Sequence, residues 1–305
     1  MSQRRASAGM RDAIAAPTQR GALVSLHVAV LLFGFAGLFG KWLALSPEMI
    51  VLGRTVVASA ALAALLRVLR EPSGGFEWRL AAGGAVLALH WIAFFRAVQI
   101  SSVAVGLLGF ASFPLFVLIA EAIFLRRRLH VADWVTVTLV TAGLLLLVPE
   151  FRIENRVVQG LIWGVLSGLT FALLAVGNRA LASRRSATGI ALWQNACAAA
   201  CLLPGFALDP VLPGLRDIAL LIVLGVVCTA LAHTLFIRSM RVVSAHTASV
   251  VTALEPVYGI ALAFALLGET PGWRTLIGAA LIVGAALRAT SRASLVPERI
   301  DEPDR

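Results

Sequence analysis

Charge is scarce in this chain of 305 residues: 14% are Asp, Glu, Lys or Arg, against roughly 25% in an ordinary soluble domain. Apolar residues make up 59% where roughly 45–50% is usual, which excludes a water-soluble globular enzyme. Lysine occurs once, as Lys41, and tyrosine once, as Tyr258. The three cysteines, Cys197, Cys201 and Cys228, lie inside apolar runs; Cys197 and Cys201 share a helical face but have no nearby His or acid, so they read as small packing residues rather than a metal site or disulfide. A phosphate-cradling loop is also missing: Gly37-Leu38-Phe39-Gly40-Lys41 has no hydroxyl after the lysine and no strand before it, which excludes ATP hydrolysis by this chain alone. There is no metal-ligand cluster, nucleophile elbow or convincing Ser–His pair, and Ser112 lacks the following glycine of an intramembrane serine-protease turn. An enzyme is not expected, nor a cofactor.

What the chain has instead is length of apolar run. A bilayer core is crossed by roughly 20 apolar residues, so about ten spans would use some 200 positions and leave only short turns and tails. Breakers place the spans at Leu23–Leu45, Met49–Val68, Leu80–Val98, Ser102–Leu125, Val131–Val148, Val157–Leu181, Thr188–Leu208, Ile218–Ile237, Ala245–Leu267 and Trp273–Ala289. Turn formers such as Ser46-Pro47, Pro72-Ser73-Gly74-Gly75 and Pro271-Gly272 separate them. The first run is too long for a signal-peptide core and is expected to remain as a helix. Trp42, Trp78, Trp134 and Trp273 fall near span ends, where tryptophan anchors a helix at the interface.

The net charge of +10 would suggest nucleic acid in a soluble protein. Here the basic residues sit between apolar runs, so no nucleic-acid partner is expected and the charge sets orientation. With a cytoplasmic N-terminus, most of the 26 basic residues fall on the inner side, and both ends of the chain face the cytoplasm.

The halves repeat. A shift of 142 positions lays Phe94 on Phe236, Arg96 on Arg238, Ser102 on Ser244, Ala111 on Ala253 and Pro114 on Pro256, and after a one-residue gap Gly143 falls on Gly284. Each half then holds five spans, an odd number, so the second copy enters the membrane from the opposite face. The expected organisation is an all-α membrane protein with a tail at 1–21, inverted five-helix repeats at 22–149 and 150–292, and a tail at 293–305.

Phe94-Phe95-Arg96-Ala97, Ser101-Ser102-Val103-Ala104-Val105 and Phe113-Pro114-Leu115, with Leu254-Glu255-Pro256-Val257-Tyr258 and Leu267-Gly268-Glu269 in the second half, resemble the drug/metabolite transporter superfamily, specifically its EamA-type ten-helix exporters. The resemblance runs from about Leu23 to Ala289. It implies a carrier that moves small metabolites, often amino acids or related compounds, usually outward across a bacterial inner membrane, as a monomer or homodimer. One departure stands out: the family's first half often has an acid after the fourth span, where this chain has Arg126-Arg127-Arg128. A role for that acid does not transfer.

A carrier without ATP hydrolysis draws on a gradient, which directs attention to ionisable groups at membrane depth. Glu255 lies mid-span before Pro256, and His246, Ser249, Thr252, Glu255 and Gly259 form one helical stripe. Two readings stand: Glu255 faces a central cavity, binding substrate or a proton, or it bonds a neighbouring helix to hold the Pro256 kink. Its repeat mate is Phe113, which makes one wall acidic and the other aromatic. His90 is a candidate both for the substrate cavity and for proton coupling, and its approximate counterpart His233 for proton coupling, against the alternative of satisfied packing residues. Trp91, Phe94, Trp163, Trp193 and Tyr258 are candidate apolar walls against a substrate side chain. Arg54 either grips a substrate carboxylate or snorkels to the outer headgroups. Gln194 and Asn195 offer neutral hydrogen bonds to substrate or to other helices, and the Gly160, Gly164, Gly168 stripe reads as close packing. Pro114 and Pro256, matched across the halves, mark kinks or gates. The rivals to metabolite export are a proton-coupled pump for cationic compounds and, from another class, an intramembrane enzyme or sensor.

Overall fold

The computed structural model describes residues 18–124, 131–148, 152–182, 184–208, 212–243, 248, 251–252 and 254–293. All regular structure among the described residues is helical. The first half contains α1 (Gln19–Trp42), α2 (Pro47–Leu69), α3 (Trp78–Ile100), α4 (Val103–Phe110), α5 (Phe113–Phe124) and α6 (Val131–Leu147). The second contains α7 (Arg156–Ala182), α8 (Ala187–Leu208), α9 (Leu215–Gly225), a π turn (Val226–Leu231), α10 (Ala232–Ser239), α11 (Glu255–Leu267) and α12 (Trp273–Ala293). Among the described residues seven segments are long and apolar enough to cross a membrane, and three shorter apolar helices, Asp133–Leu147, Glu255–Leu267 and Trp273–Ala285, fall in three of the other expected spans.

Local chemistry explains the helix ends. Ser46-Pro47, expected as a turn, opens α2: the Ser46 hydroxyl accepts from the Met49 amide, and Pro47 occupies a first-turn position whose missing N–H costs nothing. Ser102 caps α4 in the same way through the Val105 amide. Two predicted spans are not continuous helices. Ser102–Leu125 breaks at Ala111 and Ser112, because Pro114 cannot donate to the Phe110 carbonyl and Ser112 Oγ turns back to the Gly109 carbonyl at 2.7 Å. The ninth span breaks at Leu254, after which α11 starts with Glu255-Pro256. His246 and Ser249 of the polar stripe, Ser244 and Ala253 of the repeat, and Arg126-Arg127-Arg128 lie outside the described residues.

Packing between the halves comes in mirrored pairs. α4 lies on α7 as α11 lies on α1; α3 lies on α7 as α10 lies on α1; α6 and α12 pack on each other. Glycine sets the closest of these approaches. A Cβ on Gly34 of α1 would stand 2.9 Å from the Gly259 amide and 3.0 Å from the Glu255 carbonyl, and one on Gly168 of α7 would stand 2.8 Å from the Phe110 carbonyl and 3.1 Å from the Phe113 amide. Each half's first helix is thus pressed against the break in the other half's fourth. Gly164 meets Gly109 backbone to backbone, with the added Cβ 2.9 Å from its Cα, and Gly160 abuts Ser101, so this stripe packs helices.

The outer faces of the bundle carry exposed Val, Leu and Ile, the composition a lipid-facing surface needs. Trp78, Trp134 and Trp273 are exposed near helix ends, whereas Trp42 stacks edge-on against Phe35 and Phe39. Polar ties close the bundle at its two ends. At one, Lys41 Nζ donates to the Ser101 carbonyl at 2.9 Å, and Glu269 accepts from the Val103 amide at 3.1 Å, capping α4 from the other half. At the opposite end Arg185 pairs with Glu77 at 3.1 Å and holds the Gly74 and Gly75 carbonyls. Glu269→Ala is expected to cost about 1 kcal/mol, the usual worth of a helix cap. The apparent unfolding temperature of the purified protein measures it.

Candidate functional site

The fourth-helix breaks end at a central cavity of about 580 Å³, including the part open to the exterior. Phe33 and Ala36 of α1, Arg54 of α2, Leu87, His90, Trp91 and Phe94 of α3, Phe110 of α4, four residues of α7, His233 and Phe236 of α10 and Glu255 of α11 line it. A continuous aromatic run forms part of the wall: rings follow in the order Phe94, Phe110, Phe171, Phe236, Phe33 with neighbouring centroids 5.2 to 6.3 Å apart. Phe113, the repeat mate of Glu255, is buried in this cluster against Phe110 and Phe171. Glu255 lines the cavity, whereas Phe113 packs behind Phe110 and Phe171 and does not line it.

Glu255 is 4% exposed, and its Oε2 has no hydrogen-bond partner among the described residues. An ionised carboxylate so placed is expensive unless it takes a proton, water or a cationic group. The break places it here, since Gly34 draws the first turn of α11 onto α1.

Arg54 is 1% exposed and does not run out to the membrane surface. Its guanidinium lies over Trp91, 3.9 Å from the ring centroid, and Nε donates to Thr229 Oγ1 at 2.9 Å. No carboxylate among the described residues lies within salt-bridge distance of it, although Glu255 shares the cavity.

Trp91 and His233 are repeat mates under the 142-position shift, and they meet with centroids 6.1 Å apart. Asn195 stands behind His233, its Nδ2 3.4 Å from His233 Nδ1, much as Arg54 stands on Trp91. Asn195 itself does not line the cavity. His90 Nδ1 is 2.9 Å from both the Ser167 carbonyl and the Ser167 hydroxyl, so its ring is oriented by α7: Nδ1–H donates to the carbonyl, or the hydroxyl donates to Nδ1. Either way the other ring nitrogen remains for the cavity side.

Tyr258 is half-buried on α11 against the apolar core and does not line the cavity. Trp163 is half-buried two turns before Phe171 on α7 and does not line it either. Trp193 is tied elsewhere, with Nε1 donating to the Ser73 carbonyl and its ring stacked edge-on against Phe76. Pro114 and Pro256 stay at the breaks. Sequence reasoning missed Asn178, which lines the cavity while its Oδ1 accepts from Gln194 Nε2 at 2.6 Å. The signal was available: Phe171, Leu174, Ala175 and Asn178 follow the three- and four-residue steps of one helical face.

A cavity between two inverted five-helix halves, lined by aromatics with isolated charges, defines a multi-pass membrane transporter. The chain belongs to the EamA-like transporter family, whose model matches residues 20–148 and again 158–290. It is similar to the pseudopaline exporter CntI of Pseudomonas aeruginosa, 28% identical over 67% of this chain and 72% of that protein. It is also similar to an S-adenosylmethionine uptake transporter of Rickettsia bellii, 28% identical over 58% of this chain and 60% of the relative. A solved crystal structure shares the fold with a TM-score of 0.68 at 20% identity, covering 90% of this chain and 98% of the other.

Proposed function

We propose that the protein is a secondary carrier of a bacterial inner membrane, with both ends of its chain in the cytoplasm, that exports a small metabolite of the amino-acid type by alternating access. The observation that carries this reading is Glu255, a carboxylate buried at the break of a half-helix on the wall of the central cavity, its Oε2 unpaired among the described residues. It binds a cationic group of the cargo, or a proton, in alternation. The mirrored seating of α1 and α7 on the two breaks supports the rocking of one half against the other. Outward direction accords with the name of the pseudopaline exporter, while the uptake transporter's name shows that relatives are named for either direction.

A pump for lipophilic cations is the second reading, favoured by the aromatic lining around one acid. Arg54 in the same cavity opposes it, because a second positive charge raises the cost of a bare cation there. Counterflow in proteoliposomes separates them. Amino acids, nucleosides and a cationic dye are offered to vesicles preloaded with the same unlabelled solute. Accumulation of an amino-acid solute is the expected result; accumulation of the dye alone would replace this reading with the second.

A further inference from the structure

Arg54 is the largest fully buried side chain among the described residues, and a buried guanidinium needs partners for its fixed fork of donors. The second half supplies two: Nε donates to Thr229 Oγ1 at 2.9 Å and Nη2 to the Cys228 carbonyl at 3.4 Å. Both acceptors belong to the π turn at Val226–Leu231, where Thr229 Oγ1 in turn donates to the Leu224 carbonyl, five residues back, at 2.7 Å. A π turn shifts carbonyls out of the α-helical ladder, and here one of them reaches Arg54.

Gly225, at the entrance to that turn, allows the approach. A Cβ there would stand 2.6 Å from Val57 Cβ and 3.0 Å from the Arg54 carbonyl, so α2 can lie this close to α9 only at glycine. Trp91 supports one face of the guanidinium. The group is therefore fixed along one edge and one face, and Nη1 is left without a partner among the described residues while Arg54 lines the cavity. A planar donor fork held in this way is suited to a planar oxyanion.

We propose that Arg54, held by the π turn of the opposite half, is the anion subsite of the cavity and restricts the cargo to metabolites with a free carboxylate. This rests on the carrier reading above and adds the chemical class. Together, Arg54 and Glu255 suit opposite ends of a zwitterion. Thr229 is the positioning residue.

The test uses purified full-length protein and the twenty proteinogenic amino acids with their matched carboxamides, which keep the ammonium and side chain but lose the carboxylate. Binding is followed by thermal shift and uptake by counterflow. At least one acid is expected to stabilise the protein and exchange, with its amide weaker by about tenfold or more. Arg54→Gln abolishes that preference, and Arg54→Lys, which keeps charge without the fork, restores it only in part. Should the Arg54 variants fail to fold, Thr229→Val removes the anchor of Nε while leaving the guanidinium. It is expected to weaken acids and spare amides, and Thr229→Ser restores the acids. Amides bound as tightly as acids, or acids bound unchanged by Arg54→Gln and Thr229→Val, would overturn the proposal. Counterflow of a carboxylate-free solute would overturn it while leaving the carrier reading intact, whereas no binding or counterflow of any solute by folded protein would count against both.

Discussion

Glu255→Gln slows transport by about ten- to a hundredfold and removes its response to pH. Gln keeps the size and one hydrogen-bonding oxygen but carries no charge and takes no proton. A hydrogen bond to a charged group is worth about 1.5–3 kcal/mol, and 1.4 kcal/mol is a factor of about ten, which sets the expected loss. The fold survives the change, since Glu255 has no salt-bridge partner among the described residues and its Oε2 is already unpaired. Neutralising a buried carboxylate whose Oε2 is unpaired among the described residues removes a desolvation cost, so thermal stability holds or rises. Unchanged rate and pH profile in proteoliposomes would remove Glu255 from the mechanism and leave it the structural role of holding the break.

The largest expected loss of stability comes from Gly34→Val or Gly168→Val. Even a Cβ at Gly34 meets the backbone of α11 at 2.9 Å, and one at Gly168 meets the backbone between α4 and α5 at 2.8 Å, so no side-chain rotation relieves the contact. The branched side chain of valine forces α1 from α11, or α7 from α4 and α5. Overpacking of this kind costs about 1–3 kcal/mol or more, and the apparent unfolding temperature falls by several degrees. Gly177→Ala on the same helix as Gly168 is the opposite case. Its added Cβ meets nothing within 4 Å, so a gain of about 0.5–1 kcal/mol is expected from reduced chain entropy. Equal melting temperatures for Gly168→Val and Gly177→Ala would contradict the packing described for the breaks.

The helices were legible because bilayer-spanning segments must be long, apolar and internally bonded, and hydropathy records that directly. The two halves were legible from Pro114 with Pro256 and Phe94 with Phe236. The paired prolines also marked the breaks, because a missing N–H acts locally wherever the helix packs. Other features depend on tertiary contact. Nothing in Val226-Val227-Cys228-Thr229 signals a π turn, and without it Arg54 reads equally well as a residue extended to the headgroups. Ser167 orients His90 from 77 positions away, beyond the reach of local pattern. Trp163 and Trp193 are the converse case, aromatics within spans whose tertiary packing lies away from the cavity. One sits off the cavity and the other is tied to the Ser73 carbonyl near the end of the bundle. Asn178 was the omission that helical periodicity alone would have repaired.

Alternating access around the cavity between the two halves is the central claim, and cysteine accessibility from the two sides of the membrane tests it most directly. Cys197, Cys201 and Cys228 are replaced by alanine, and Leu174 on the cavity wall becomes the sole thiol through Leu174→Cys. A membrane-impermeant maleimide is then applied to right-side-out and to inside-out vesicles. Labelling is expected from both sides, with each rate altered when a transported solute is present. Labelling from one side only, unchanged by any solute the protein transports, would contradict it.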